Sequence, residues 1–209
     1  MTRGLFFSLD GLDGCGKSTQ CRLLVDWLRQ RGATVRACAE PGGTAVGDQL
    51  REILLHHRGD LALATEAFLF MASRAQLVTE VIRPALAAGH AVVSDRFLLA
   101  NVAYQGHGGG LYPQQLWDMG CLATGGLEPD LTLVLDLPVE LARSRRRRPA
   151  DRLEGREELY HRRVRNGFLA EARRRPGRIK VIDASAAVED VQAAIQEEVA
   201  RVLAAGPWA

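Results

Sequence analysis

The stretch Leu5-Phe-Phe-Ser-Leu-Asp-Gly11-Leu-Asp-Gly-Cys-Gly16-Lys17-Ser18 decides how the rest of the chain is read. Its opening residues are apolar, short in run and closed by a glycine, which predicts a buried strand over Leu5–Asp10. The eight residues from Gly11 to Ser18 fit the pattern GxxxxGK[ST]. From Lys17 onward the spacing is helical, with Leu23, Leu24, Trp27 and Leu28 on one side and Gly32 as a stop. Strand, glycine-rich turn and helix in that order form a cradle for phosphate. Gly14 and Gly16 let the backbone turn successive N–H groups toward phosphate oxygens, and the helix N-terminus adds a partial positive charge. Lys17 is expected to reach the β- and γ-phosphates, and the Ser18 hydroxyl to ligate Mg²⁺. The loop Gly11, Leu12, Asp13, Gly14, Cys15, Gly16, Lys17, Ser18 and Thr19 is thus expected to bind a nucleoside triphosphate.

Outward from this loop, strand-like and helix-like segments alternate. Strands are predicted at Thr34–Ala39, Ala91–Ser94, Leu131–Asp136 and Arg178–Ile182. Helices are predicted at Thr44–His57, at Ala64–Ala88 with an interruption near Pro84, and at Pro113–Thr124, Val139–Arg147, Glu157–Arg174 and Val188–Ala204. Gly106–Gly110 reads as a glycine-rich loop, and 146–156 as a polar one. This alternation predicts an α/β fold: a five-stranded parallel sheet flanked by helices on both faces, of the P-loop NTPase type. Residues 1–209 are expected to form a single domain, with a small basic lid at about 143–156.

Hydrophobic residues make up 47% and charged residues 25%, enough for a normal core and against disorder. A net charge of +2 gives no global signal for nucleic acid. The charge is uneven, since fourteen arginines and only five acids lie between Arg143 and Arg178. The two lysines are Lys17 and Lys180, which makes a lysine inside the phosphate loop the more telling. Cys15, Cys21, Cys38 and Cys121 show no CxxC spacing and no zinc-like cluster, so reduced thiols and a cytoplasmic location are expected. Cys15 sits near a helix N-terminus, where a thiol pKa can fall, and is expected to be open to alkylation. No apolar run is long enough for a signal peptide or a membrane span.

Asp95 closes the apolar strand Ala-Val-Val-Ser-Asp, the position for a carboxylate that holds Mg²⁺ or its waters. Arg96 follows, placed for a second phosphate. No NKxD-like, helicase-like or ABC-like motif is present. A short P-loop chain with a basic flap suits a small-molecule kinase, whose flap must shut out water to favour transfer over hydrolysis.

Seven separated motifs then carry a resemblance to the thymidylate kinase family over roughly Leu5 to Ala184. They are the phosphate loop, Glu40-Pro-Gly-Gly-Thr44, Phe70-Met-Ala-Ser-Arg74, Asp95-Arg96-Phe97, Ala103-Tyr-Gln-Gly106, Pro129-Asp-Leu-Thr132 and Asp151-Arg-Leu-Glu154. The resemblance implies transfer of the γ-phosphate of Mg-ATP to dTMP, giving dTDP and ADP, on a homodimer without membrane or nucleic-acid partners.

It also implies residue roles. Asp13 resembles the carboxylate that accepts from the sugar 3′-hydroxyl. Phe70 resembles the aromatic stacked on thymine, and Arg74, four residues on, the arginine at the base carbonyl. Arg96 resembles the clamp on the dTMP phosphate, and Arg51 a further pocket arginine. Tyr104 resembles the ring that crowds sugar C2′, with Asn101 and Gln105 as further base-pocket residues. Glu40 falls near phosphates and magnesium, and Arg143 with the Asp183-Ala184-Ser185 turn near adenine. The lid carries Arg145–Arg148 and Arg152, as in bacterial members, with Arg147 matching the arginine that reaches the transferring phosphoryl group. Lys17, Glu40, Asp95, Arg96 and Arg147 are thus the expected catalytic set, with Ser18 and Asp95 on the metal.

The chain departs from the family pattern at Ala39, where arginine is common, at Asp10, where glutamate is commoner, and at Leu98-Leu99-Ala100. These departures leave room for a kinase of another small acceptor such as dUMP or a cytidylate. The arginine run leaves room for an RNA-associated nucleotide-binding module.

Overall fold

The computed structural model describes residues 3–57, 59–145 and 155–205. Five strands form one sheet in the order β2-β3-β1-β4-β5, every neighbouring pair parallel. They are β1 (Phe6–Gly11), β2 (Val35–Ala39), β3 (Ala91–Asp95), β4 (Leu131–Asp136) and β5 (Ile179–Asp183). The chain leaves central β1 toward β2 on one side and reaches β4 on the other. The loop after β1 therefore lies at the switch in strand order, where open α/β sheets bind ligands.

Strand β1 is buried along its whole length, as a central parallel strand covered on both faces must be. Its side chains alternate between two apolar clusters. Phe7 and Leu9 pack with Leu24 and Leu28 of α1 (Lys17–Gln30) and with Ile195 of α9 (Val188–Ala205). Phe6 packs with Ile82, Leu86, Val92 and Phe97 on the other face.

The predicted helix over Ala64–Ala88 is three segments: α3 (Leu63–Leu77), a π-helical turn (Val78–Ile82) and α4 (Arg83–Ala87). The interruption precedes Pro84, which occupies the start of α4, where a missing N–H costs little. The remaining helices include α2 (Ala45–His56), α5 (Leu98–Asn101), α6 (Pro113–Thr124), α7 (Val139–Ser144) and α8 (Glu158–Arg174).

The predicted loop at Gly106–Gly110 is corrected at Gly106, His107 and Gly108, while Gly109 and Gly110 lie beyond the helix. The chain is helical from Leu98, passing at Val102–Gly108 into π-helix. Its glycines serve packing rather than flexibility. A Cβ on Gly108 would lie 2.5 Å from Val164 Cγ2 and 2.9 Å from Tyr160 Cε2, so glycine lets this helix press against α8. The predicted helix over Val139–Arg147 is seen as Val139–Ser144, and Arg147 lies outside the described residues. Among the described residues no helix is long and apolar enough to cross a membrane.

Candidate active site

The turn after β1 needs glycine at three positions. Gly11, Gly14 and Gly16 have φ of 139°, 90° and 97°, which a Cβ would strain. Gly16 is the N-cap of α1, and the first turn of that helix carries no acidic residue and no side-chain cap. Its backbone N–H groups are free to face an anion. Lys17 is buried and folded back, its Nζ donating to Leu12 O at 2.8 Å and Gly11 O at 3.2 Å. The Ser18 hydroxyl donates to Asp95 Oδ2 at 2.6 Å, joining the start of α1 to the end of β3.

Beside the loop, Arg96 holds a strained backbone, with φ of 73° in a non-glycine residue. Its N–H donates to Leu9 O at 2.9 Å, which holds it across the end of β1. Its guanidinium donates to Gly11 O at 3.1 Å and forms a short pair with Asp13. Asp13 also accepts from the Tyr104 hydroxyl at 2.9 Å. Burial pushes the Asp13 carboxyl up, but Arg96, Lys17 and the Tyr104 hydroxyl outweigh it and hold the group well below the usual carboxylate range.

These groups stand at one end of an open cleft. Asp13, Arg51, Phe70, Arg74, Arg96, Asn101, Tyr104 and Gln105 all line it, together with Glu40, Pro41, Leu55 and Ala100. One wall is α3, which presents Phe70 and Arg74, and the other is the Leu98–Gly108 helix. Thr44 caps α2 by accepting from Gly47 N at 3.0 Å. Arg51, farther along α2, donates to Pro41 O at 2.7 Å. The Glu40–Pro41 bond is cis.

Arg74 and Glu40 form a buried ion pair at 2.6 Å, their side chains 1% and 3% exposed. Glu40 Oε1 has no hydrogen-bond partner among the described residues. Burial pushes the Glu40 carboxyl up to about 7 against the pull of Arg74, and burial pushes Asp10 up to about 6 against Arg96 and Lys17.

A second groove opens on the other side of the loop. It is lined by Gly14, Gly16, Thr19, Gln20, Arg145 and the segment Ala184–Val191. Arg145 lies here and donates to Ala184 O at 2.8 Å, whereas Arg143 turns to Glu158 at 3.4 Å. Gln20 donates to Val188 O at 2.9 Å, tying α1 to the start of α9.

One expectation is overturned here. The Cys15 thiol is buried, and burial pushes its pKa up despite the nearby Lys17 and Arg96. The helix N-terminus does not bring its pKa down, because burial disfavours the charged form. The lid arginines Arg146, Arg147, Arg148 and Arg152 lie outside the described residues.

The profile of the family described as thymidylate kinase matches residues 9–195. The chain belongs to the thymidylate kinase family. Curated thymidylate kinases similar to it include one from Desulfovibrio desulfuricans, 50% identical over 90% of this chain and 91% of that protein. One from Rhodopirellula baltica is 47% identical over 90% of this chain and 77% of its own length. A third, from Nitrosospira multiformis, is 43% identical over 97% of this chain and 100% of that protein. Among solved structures, the crystal structure of thymidylate kinase from Ehrlichia chaffeensis superposes with a TM-score of 0.78. It covers 94% of this chain and 99% of that one at 27% identity.

Against the thymidylate kinase motifs, the residues that reasoning from sequence missed are Glu66, Arg156 and Tyr160. Glu66 is completely buried, accepting from Gln105 Nε2 and from Arg156 Nη2, both at 2.8 Å. A signal for it existed. Glu66, Phe70 and Arg74 are spaced four apart, one face of one helix.

Proposed function

We propose that the cleft between α3 and the Leu98–Gly108 helix binds dTMP, while the loop Gly11–Thr19 and its flanking groove bind ATP. The chain is a dTMP kinase, transferring the γ-phosphate of ATP to dTMP to give dTDP and ADP. The observation that carries the site assignment is the cleft lined by Asp13, Phe70, Arg74, Arg96 and Tyr104. Residues from five separate segments converge on it, and its inner end abuts the phosphate loop through Arg96 and Asp13.

In this reading Arg96 clamps the dTMP phosphate with its planar fork. Asp13 accepts from the sugar 3′-hydroxyl, and the Tyr104 ring stands against C2′. Phe70 stacks on the base, with Arg74, Asn101 and Gln105 along its edge and Arg51 toward the phosphate. Lys17 exchanges two neutral carbonyl partners for phosphate oxygens, a stronger charge-assisted contact. Adenine lies by the Ala184–Val191 segment with Arg145 at its border, and Arg143 leaves Glu158 to reach it. The acceptor oxygen is already ionised at neutral pH, so no strong general base is needed, and alignment with arginine charge lowers the barrier. Arg147 is assigned the transferring phosphoryl group, and Glu40 the neighbourhood of the phosphates.

The oxygen donors of Ser18 and Asp95, paired at 2.6 Å beside the cradle, fit Mg²⁺, which takes one or two protein oxygens and fills its shell with phosphate and water. When bound, the ion neutralises charge on the β- and γ-oxygens. A homodimer in the cytoplasm belongs to the same proposal. Val46 and Ile53 on α2, Phe68 on α3 and Leu122 on α6 are large exposed apolar side chains on helices that pack together, and a second copy would cover them.

The test is ADP release with Mg-ATP against dTMP, dUMP, dCMP, UMP and thymidine. Strong turnover on dTMP, weaker on dUMP and almost none on the others is expected. Preference for a different acceptor would overturn the roles given to Phe70, Arg74 and Tyr104.

A further inference from the structure

A chain of buried polar side chains runs away from the base end of the cleft. Asn101 Nδ2 donates to Gln105 Oε1 at 2.9 Å. Gln105 Nε2 donates to Glu66 Oε1 at 2.8 Å. Glu66 Oε2 accepts from Arg156 Nη2 at 2.8 Å. Arg156 also donates to the Tyr160 hydroxyl at 2.6 Å, and that hydroxyl donates to Tyr104 O at 2.9 Å. Arg156 thus joins α3, α8 and the Leu98–Gly108 helix, which include both walls of the cleft.

An amide can sit either way round, so Asn101 and Gln105 could in principle present oxygen or nitrogen to a ligand. Glu66 removes the choice. A carboxylate paired with a guanidinium only accepts, so Gln105 must turn its NH₂ to Glu66 and its oxygen to Asn101. Asn101 must then give its NH₂ to Gln105, which leaves its own oxygen as the last atom of the chain. Among the described residues Asn101 Oδ1 has no hydrogen-bond partner, and Asn101 lines the cleft. An acceptor at that place matches a base with a ring N–H, as in thymine or uracil, and opposes one with a lone pair there, as in cytosine.

We infer that Glu66, held by Arg156, is a positioning residue that sets the hydrogen-bond polarity of the base pocket and so selects oxo-pyrimidine over amino-pyrimidine acceptors. The inference rests on the assignment of the cleft to dTMP. Two buried amides transmit the polarity over a distance that Glu66 itself does not span. Neither Glu66 nor Arg156 is among the residues that line the cleft.

Glu66→Gln tests it with almost no change of shape. The new amide has one oxygen, which Arg156 claims, so its NH₂ faces Gln105 and the relay reverses. Asn101 then offers NH₂ to the cleft. The kcat/KM ratio of dTMP over dCMP is expected to fall by about tenfold or more, because a mispaired buried polar group discriminates strongly. Arg156→Gln keeps the carboxylate and loses its anchor. Its KM for dTMP is expected to rise by about fivefold with kcat little changed and the dTMP preference retained. Thermal melting of both variants checks the fold. A Glu66→Gln enzyme that melts like the parent and keeps the parental ratio would overturn the inference, as would a uniform loss of kcat on every acceptor. An unchanged KM in Arg156→Gln would remove Arg156 from it. A parent enzyme without preference for dTMP over dCMP would instead refute the cleft assignment itself.

Discussion

Ser18 and Asp95 are 77 residues apart in sequence, yet the Ser18 hydroxyl donates to the Asp95 carboxylate at 2.6 Å. Parallel pairing of β1 with β3, Leu9 opposite Asp95, brings the two together. The contact joins the two elements that carry the oxygen donors of the proposed Mg²⁺ site. Ser18→Ala is therefore expected to raise the Mg²⁺ concentration for half-maximal activity by about tenfold, within the range for altered metal sites. Asp95→Asn should do so more strongly. Titration of ADP release with Mg²⁺ measures both, and an unchanged midpoint in either would remove that residue from the metal site.

Arg96 is held in place by Asp13, Tyr104 and Gly11 O before any substrate arrives. Arg96→Ala should raise KM for dTMP by about a hundredfold, as loss of a charged bidentate contact does. Tyr104→Phe keeps the ring and deletes one hydrogen bond to Asp13. It should cost about 1 kcal/mol of stability in urea unfolding. A Tyr104→Phe protein as stable as the parent would show that the hydroxyl contributes nothing to the fold.

The buried carboxyls set a pH dependence of stability. Asp10 is raised to about 6 in the fold, above its unfolded value of 3.8, because burial disfavours its charge. The folded state therefore holds this proton more tightly than the unfolded state. Its contribution is fully present below the unfolded pKa and is lost as pH rises through the window up to about 6. Glu40, raised from 4.5 to about 7, acts in the same direction over a slightly higher window. Asp13, lowered, acts oppositely, and its contribution is lost as pH falls through its folded pKa. Asp10→Asn should flatten the fall in stability between about pH 4 and 6, a difference of up to roughly 3 kcal/mol across two pKa units. Urea midpoints measured across that range would test it, and a slope identical to the parent would refute the burial account of Asp10.

Gly108 and Gly120 are packing positions. A Cβ on Gly120 would lie 2.2 Å from Leu98 Cδ1, and on Gly108 2.5 Å from Val164 Cγ2. Alanine at either is expected to destabilise by about 1–3 kcal/mol, the usual result of overpacking a close contact. Gly126, whose added Cβ would meet nothing within 4 Å, differs in kind, since its φ of 76° makes the cost conformational. Thermal melts would separate these effects. A neutral Gly108→Ala would mean that α8 stands off from the Leu98–Gly108 helix.

Cys15 is expected to resist iodoacetamide at neutral pH in the folded protein and to react once urea exposes it, because burial disfavours its thiolate. Mass spectrometry of the Cys15 peptide reads this directly. Rapid labelling of the native protein would show that the loop opens far more often than its packing implies.

The phosphate cradle was legible in the sequence because its physics is local. A strand, glycines at φ values closed to other residues, and a helix N-terminus are adjacent in the chain, and Lys17 and Ser18 follow at fixed offsets. The sheet was legible for a related reason, since apolar runs of strand length alternate with helical periods. Gly106 and Gly108 look like loop residues because local composition favours a loop, whereas Gly108 is needed for the approach of Val164 and Tyr160 from α8, more than 50 residues later, and Gly106 faces Leu116 and Pro113. Cys15 was misread because a helix terminus acts locally, while the burial that outweighs it comes from the whole core.

By itself, then, the sequence determined the α/β alternation and the phosphate loop, and its family resemblance supplied the residues proposed above to hold a pyrimidine nucleotide. Tertiary structure alone decided that Asp13, Arg96 and Tyr104 meet, that Glu40 pairs with Arg74, and that Glu66 faces Gln105 and Arg156. Local features depend on backbone preferences over a few residues. The direction of a buried hydrogen bond depends on which distant partner supplies the only remaining donor or acceptor.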